Sequence, residues 1–180
     1  MVKYITFLFT SLVILAFVIG FPIAAATPEE NLAPVDIQAG VLNDVINSFR
    51  IYSSFFKDDL CLPVHATNRQ EAINYLTNGW SEELAVSIVD TYTYWDTNLK
   101  RLVILPSDGM PILSADDISK ITCHKTGSDS ILLKRFYENC YYPGDLYLYQ
   151  VSAGYTGEKW IIIRLELEAG TLEDKTFKLS

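Results

Sequence analysis

The spacing of apolar residues changes once along this chain, near Tyr92, and this change restricts the fold more than any other feature. Before Tyr92, apolar residues recur three and four positions apart, as they do on one face of an α-helix. After Tyr92 the period falls towards two, which is the spacing of β-strands. Three helices followed by a run of strands predict an α+β domain, in which helices cover one face of a curved antiparallel sheet.

Local signals predict where the helices begin and end. The first helix starts with Asp36 as its N-cap and stops near Asp58-Asp59. The second follows Asn68, an N-cap amide with a glutamate three residues later, as in a capping box. The third follows Ser81 and has two glutamates in its first turn, where the helix dipole favours acidic side chains.

Short strands with tight turns make up the second half of the chain. The strand-like runs are 99–105, 119–125, 130–137, 145–153 and 159–168. Sequential strands joined by short glycine- or proline-containing turns predict an antiparallel meander. The run Trp160–Ile163 is apolar on both faces, so we expect that strand to be central. The same order of elements occurs in the cystatin-like and NTF2-like folds, which is an analogy of fold alone.

The N-terminus has the three parts of a secretory signal peptide. Lys3 supplies the positive charge, residues 5–21 are almost entirely apolar, and Ala24–Ala26 provide small residues for cleavage before Thr27. An uncleaved membrane anchor is the alternative, since the run approaches the ~20 residues that a span needs. We therefore expect residues 1–26 to be removed, residues 27–35 to form a mobile leader, and residues 36–180 to form one extracytoplasmic domain.

The charge balance restricts the partners. The chain has 14 basic and 22 acidic residues and a net charge of −8, and loss of Lys3 would make it −9. An acidic protein is poorly suited to nucleic acid, whose phosphates need a basic surface, or to an anionic membrane. It suits a basic protein partner or simply solubility outside the cell.

Three cysteines in an oxidising compartment predict at most one internal disulfide and one spare thiol. We favour Cys61–Cys140, because both fall in predicted loops, although all three pairings are possible. Cys123 falls in the middle of a strand and is expected to be a buried, reduced, small apolar residue. No Cys/His cluster has the spacing of a zinc site, so we predict neither a metal nor a cofactor.

No pattern of residues indicates catalysis. The only histidines are His65 and His124. His124 directly follows Cys123, so on a strand the two side chains point to opposite faces and make a poor catalytic pair. The adjacent acids Asp116 and Asp117 are typical of a helix start rather than a metal site. We predict a protein that is not an enzyme.

Tyrosines are concentrated in the second half of the chain. Alternation places Tyr147 and Tyr149 on one face of a strand, with Tyr142 in the preceding turn. A tyrosine-rich face suits a protein interface, since tyrosine provides a large contact area at low entropic cost. We therefore predict these three as partner-binding residues. The alternative, a core with hydroxyl groups at its edge, is equally compatible with the pattern.

Several short segments resemble secreted proteins of Gram-positive bacteria. These segments are residues 68–76, 80–85, 102–109, 116–118 and 158–161. In this order they are similar to the IseA family, inhibitors of cell-wall DL-endopeptidases, over roughly residues 41–168. The resemblance implies a secreted protein that blocks the active-site cleft of a peptidoglycan hydrolase. The alternative function is an NTF2-like pocket protein or enzyme, with a small ligand between the first helix and the sheet.

Overall fold

The computed structural model describes residues 35–56, 61–106, 110–138 and 145–171, which belong to one compact unit. The helices are α1 (Val35–Phe55), α2 (Arg69–Leu76) and α3 (Glu82–Tyr92). The strands are β1 (Thr93–Asp96), β2 (Arg101–Ile104), β3 (Ile121–Lys125), β4 (Ser130–Glu138), β5 (Asp145–Tyr155) and β6 (Trp160–Thr171). A 3-10 helix, Ala115–Lys120, precedes β3. The predicted signal peptide and residues 27–34 of the predicted leader lie outside the described residues.

Side-chain caps begin α2 and α3 where the sequence predicts them. The Oδ1 atom of Asn68 accepts a hydrogen bond from the Glu71 amide at 3.0 Å, and Ser81 Oγ accepts one from the Leu84 amide at 3.3 Å. The Glu71 carboxylate turns back and accepts hydrogen bonds from the amide and hydroxyl of Thr67. These bonds satisfy N–H groups that have no partner within the helix.

The strands pair as a meander. Strands β3 to β6 form a four-stranded antiparallel sheet in chain order, and β1 and β2 form a separate antiparallel hairpin. Each predicted run of the meander corresponds to an observed strand, with ends that differ by up to three residues. The protein is therefore an α+β structure, as predicted.

One face of the four-stranded sheet packs against the helices. Cys123, Leu133 and Val151 occupy one row of paired positions on β3, β4 and β5, and all three are buried. They belong to the same core cluster as Val45 and Phe49 of α1. These alternate positions therefore lie on the sheet face that packs against α1.

Strand β6 is the last strand of the sheet, so the expectation that Trp160–Ile163 is central is wrong. The register of β5 with β6 shifts at Ser152, which leaves Ile163 as an extra residue that points to solvent. The outer edge of β6 is covered locally. The Ile162 amide donates to the Gly79 carbonyl at 2.9 Å, and the Ser81 amide donates to the Ile162 carbonyl at 2.8 Å. An edge strand with a covered edge can be apolar on both faces.

The tryptophan at the centre of the core is Trp80 rather than Trp160. Trp80 is almost fully buried, and its ring meets the Phe49 ring edge to face, with 5.3 Å between centroids. Trp160 packs against the core but remains partly exposed, with its ring 5.3 Å from that of Tyr155. The residue that connects α1 to the α2–α3 turn is therefore Trp80.

Candidate functional site

Of the tyrosines predicted to bind a partner, the structure describes Tyr147 and Tyr149. Tyr149 is 2% exposed and lies on the face of β5 that α1 covers, so its assignment to a partner-binding surface is wrong. Tyr147 is half-buried on the same face and pairs with Tyr137 of β4. Tyr142 lies outside the described residues. Tyr149 is therefore a core residue, but its hydroxyl is buried rather than at the edge of the core, where the alternative interpretation expected it.

The hydroxyl of Tyr149 is the unusual group in this core. It is buried and has no hydrogen-bond partner in the described structure. Its ring lies between those of Phe49 and Tyr137, with centroids 6.3 and 6.4 Å away. Burial raises the pKa of Tyr149 far above its usual range, and the nearby hydroxyls of Tyr137, Tyr52 and Tyr92 raise it further. A buried hydroxyl without a partner costs about 1–3 kcal/mol of stability.

Residues 110–113, called the strap below, are bound to two members of this tyrosine cluster. Burial raises the pKa of Tyr52 to about 12, against the smaller, opposing effect of a hydrogen bond with the Met110 backbone. The Tyr137 hydroxyl donates to the Ile112 carbonyl at 3.5 Å, which is a long hydrogen bond. Leu113 anchors the strap in the core. The strap therefore joins α1 to β4 through phenol groups.

A groove of about 250 Å³ separates α1 from the strap. Phe49, Arg50 and Ser53 line it from α1, and Ile112 and Leu113 line it from the strap. Phe49 also contacts the ring of Tyr149. Phe49 therefore belongs both to the lining of the groove and to the aromatic core.

The predicted acidic pair has a structural role at Asp117. Its carboxylate accepts hydrogen bonds from the amide and hydroxyl of Ser114, both at 3.0 Å, and pairs with Arg135 at 3.2 Å. Burial acts to raise the pKa of Asp117, but the bonds from Ser114 and Arg135 outweigh it, so the pKa is lowered. In the described residues, no group of three or more potential ligands is placed to hold a metal ion.

The histidines and Cys123 do not form a catalytic pair. The ring of His65 stacks on that of Tyr75, with centroids 4.3 Å apart. His124 contacts the Thr122 hydroxyl on the outer face of β3, whereas Cys123 points into the core. Burial raises the pKa of the Cys123 thiol to about 11, so it is a weak nucleophile near neutral pH.

The cysteines agree in part with the prediction. Cys123 is buried with a free thiol, as expected. Cys61 is exposed, also has a free thiol in the structure, and adopts a positive φ of 57°. Cys140 lies outside the described residues, so its pairing with Cys61 stays a prediction.

The β1–β2 hairpin presents the most prominent exposed apolar side chains. Tyr94, Trp95 and Leu99 are 45%, 52% and 59% exposed, and they are called the hairpin surface below. The turn is ordered by Asp96, whose Oδ1 atom accepts hydrogen bonds from the amides of Asn98 and Leu99 at 2.8 and 2.9 Å. Exposed aromatic side chains are candidate contacts for a partner protein.

The inner strand of the hairpin, β2, is hydrogen-bonded to the loop that precedes α2. The Leu102 amide donates to the Thr67 carbonyl at 2.8 Å, and the Ile104 amide donates to the Cys61 carbonyl at 2.7 Å. Strand β2 is therefore bonded on both edges, and β1 is the outer strand. The hairpin surface was not predicted from the sequence. The available signal was the pair of adjacent aromatic residues, which in a four-residue strand must point to opposite faces.

No family model, curated protein or solved structure significantly matches this chain. Within the described ranges, no helix has both the length and the apolar character needed to cross a bilayer. The function is therefore inferred from the geometry of the hairpin surface and of the tyrosine cluster.

Proposed function

We propose that this chain is a secreted, non-enzymatic binding protein whose hairpin surface enters a cleft of a partner protein. The observation that carries the proposal is that Tyr94 and Trp95 are consecutive on β1 and are both about half exposed. Because consecutive strand residues point to opposite faces, each face of the hairpin carries one exposed aromatic side chain. An outer strand with an exposed aromatic side chain on each face fits a cleft better than a flat surface.

The hairpin is held in one conformation by hydrogen bonds, which supports the same proposal. Asp96 holds the turn through two hydrogen bonds, and Leu102 and Ile104 hold the inner edge. A recognition element that is ordered before binding loses less conformational entropy on association. Tyrosine and tryptophan are also the side chains that most often dominate binding energy at interfaces.

The partner we propose is a cell-wall peptidoglycan endopeptidase, so that the protein acts as its inhibitor. The resemblance to the IseA family supports this choice, and the predicted signal peptide would place both proteins outside the cytoplasm. His65 stacks on Tyr75, His124 contacts the Thr122 hydroxyl, and Cys123 is buried. These contacts support a role without catalysis.

The cystatin-like and NTF2-like folds are the finer description that we propose for the architecture. A long first helix packed on a four-stranded antiparallel meander supports it. The alternative function, an NTF2-like pocket protein or enzyme, has weaker support, because the described interior is filled with aromatic rings. Phe49 contacts Trp80 and Tyr149 there, and Trp80 also contacts Tyr52.

The test is an inhibition assay with purified protein and a panel of cell-wall hydrolases, measured by peptidoglycan cleavage. We expect stoichiometric inhibition of an endopeptidase by the wild type. Trp95→Ala should weaken binding by about 30-fold, since an aromatic anchor contributes about 2 kcal/mol or more. Tyr155→Ala is the matched control, because Tyr155 is exposed to a similar extent but lies in the β5–β6 hairpin.

Two results would contradict the proposal. One is the failure of every hydrolase in the panel to bind the wild-type protein. The other is an equal loss of inhibition in Trp95→Ala and Tyr155→Ala, with unchanged thermal unfolding of both. Turnover of a small substrate that depends on His65 or His124 would instead support the pocket-enzyme alternative.

A further inference from the structure

The outer edge of β1 pairs with no strand in the described part of the chain. The hydrogen bonds of β2 show which backbone groups of β1 point to that edge. The amides of Leu102 and Ile104 donate away from β1, to the loop that precedes α2. In an antiparallel ladder, opposite residues either bond to each other or both direct their N–H and C=O groups outwards. Trp95 and Thr93 lie opposite Leu102 and Ile104, so their backbone groups point to the outer edge.

Trp95 is the residue of β1 that offers both a donor and an acceptor at this edge. The Thr93 amide already donates to the Val89 carbonyl at the end of α3, whereas the Trp95 N–H and C=O make no hydrogen bond within the described ranges. The side chains of Tyr94 and Trp95 are about half exposed, so the edge is accessible at Trp95. Edge strands are commonly protected by lysine, proline or a bulge, and residues 93–95 have none of these.

We propose that β1 pairs with β1 of a second copy of this chain, antiparallel and about a two-fold axis at Trp95. Trp95 of one copy would lie opposite Trp95 of the other, and each N–H would donate to the other's carbonyl. A symmetric interface needs a patch that complements itself, and one donor beside one acceptor at the axis meets this need. The two hairpins would then form one continuous four-stranded sheet.

The side chains of β1 suit this register. Tyr94 would lie opposite Asp96 of the second copy, so the charged residue of β1 would meet a phenol rather than another carboxylate. The two Trp95 rings would lie on the same face of the joined sheet, where opposite aromatic side chains stabilise antiparallel pairing. The net charge of −8 on each copy opposes association, so we expect a weak dimer that is strengthened by salt.

This pairing would cover Trp95, which is also the main contact of the proposed partner-binding surface. A second copy and a partner protein would therefore compete for β1, and dimer formation would reduce the amount of protein able to bind a partner at high concentration. Dimer formation is measured on the protein alone, so it can succeed or fail independently of inhibition.

The first test is sedimentation equilibrium of the purified protein in about 0.5 M NaCl, which screens the repulsion between copies. We expect a dimer with a dissociation constant on the order of 100 µM, because the interface is small. Trp95→Val retains the amide and a strand-forming side chain, whereas Trp95→Pro also removes the amide. Trp95→Pro should dimerise at least about tenfold more weakly than Trp95→Val, since both symmetric hydrogen bonds are lost. The two variants should unfold at similar temperatures, because the Trp95 amide has no partner in the monomer.

Amide hydrogen exchange, followed by NMR, tests the same pairing in the wild type. The Trp95 amide should exchange about threefold more slowly at about 1 mM protein than at about 50 µM, because the dimer is more populated. The Tyr94 amide is the control, since it points to Val103 of β2 and should be protected at both concentrations. The proposal is overturned if the wild type remains monomeric at about 1 mM, if exchange at Trp95 does not depend on concentration, or if Trp95→Pro dimerises as tightly as the wild type.

Discussion

The indole Nε1 of Trp80 donates a buried hydrogen bond to the main-chain carbonyl oxygen of Ser48, at 3.0 Å. This bond joins the turn between α2 and α3 to the middle of α1. The adjacent Gly79 approaches Ser48 so closely that a Cβ atom on the glycine would lie 2.6 Å from Ser48 Oγ. One tryptophan and one glycine therefore set the distance between the helices.

Trp80→Phe should test the hydrogen bond while it retains an aromatic ring. We expect the free energy of unfolding to fall by about 1–3 kcal/mol, because the substitution removes a buried donor and leaves a small cavity. Chemical denaturation measures the change. Trp95→Phe, at an exposed position, should change stability by no more than about 0.5 kcal/mol, and equal effects of the two substitutions would argue against a special role for Trp80.

Gly79→Ala should destabilise the protein, because the new methyl group would also lie 2.8 Å from the Cα atom of Ser48. Overpacking of this kind costs about 1–3 kcal/mol. The control is Gly40→Ala in α1, where a Cβ atom would meet nothing within 4 Å. That substitution should stabilise the helix by about 0.5–1 kcal/mol, since alanine loses less backbone entropy than glycine. A gain in stability from Gly79→Ala would refute the close approach.

Asp117→Asn should make stability depend less on pH. Because the pKa of Asp117 is lowered in the folded state, its ionised form stabilises the fold above the ordinary pKa of 3.8, and this contribution is lost as the pH falls through the folded value. We expect a loss of about 1.5–3 kcal/mol at pH 7, the range for hydrogen bonds to charged groups. Denaturation curves at several pH values should show the difference from wild type shrinking below about pH 4. A constant difference at all pH values would be inconsistent with an ionised Asp117.

Cys123 should resist thiol reagents in the folded protein. Its side chain is buried, and burial raises its pKa to about 11, so very little thiolate is present at pH 8. We expect labelling by a maleimide only after unfolding in denaturant. Peptide mapping without reductant tests the predicted Cys61–Cys140 disulfide in the same experiment. Rapid labelling of Cys123 in the native state would contradict its buried position.

Tyr149→Phe should not weaken the free protein. The substitution removes a buried hydroxyl that has no partner, so we expect a gain of about 1 kcal/mol in the free energy of unfolding. Tyr52→Phe is the control, because the Tyr52 hydroxyl bonds to the Met110 backbone and its loss should cost about 1 kcal/mol. The denaturant midpoints of both variants, compared with that of the wild type, measure these changes in stability. A loss of 1 kcal/mol or more in Tyr149→Phe would mean that the hydroxyl is paired.

The sequence by itself determined the features that depend on nearby residues. Asn68 and Ser81 cap their helices through bonds to amides three residues ahead, so the signal and its partner lie within one turn. The opposite directions of Cys123 and His124 follow from strand geometry alone. The α+β order and the meander follow in the same way, from local periodicity and short turns.

Only the tertiary structure decided which face of each strand is covered. On β5 the alternation separates Leu148 from Tyr149, but both faces are apolar enough to be buried, so the pattern does not indicate which one α1 contacts. For the same reason Trp80, rather than Trp160, became the central tryptophan, and Trp95 remained exposed. These outcomes depend on contacts between residues far apart in the chain, whose strength reflects packing in three dimensions rather than the periodicity of any single segment.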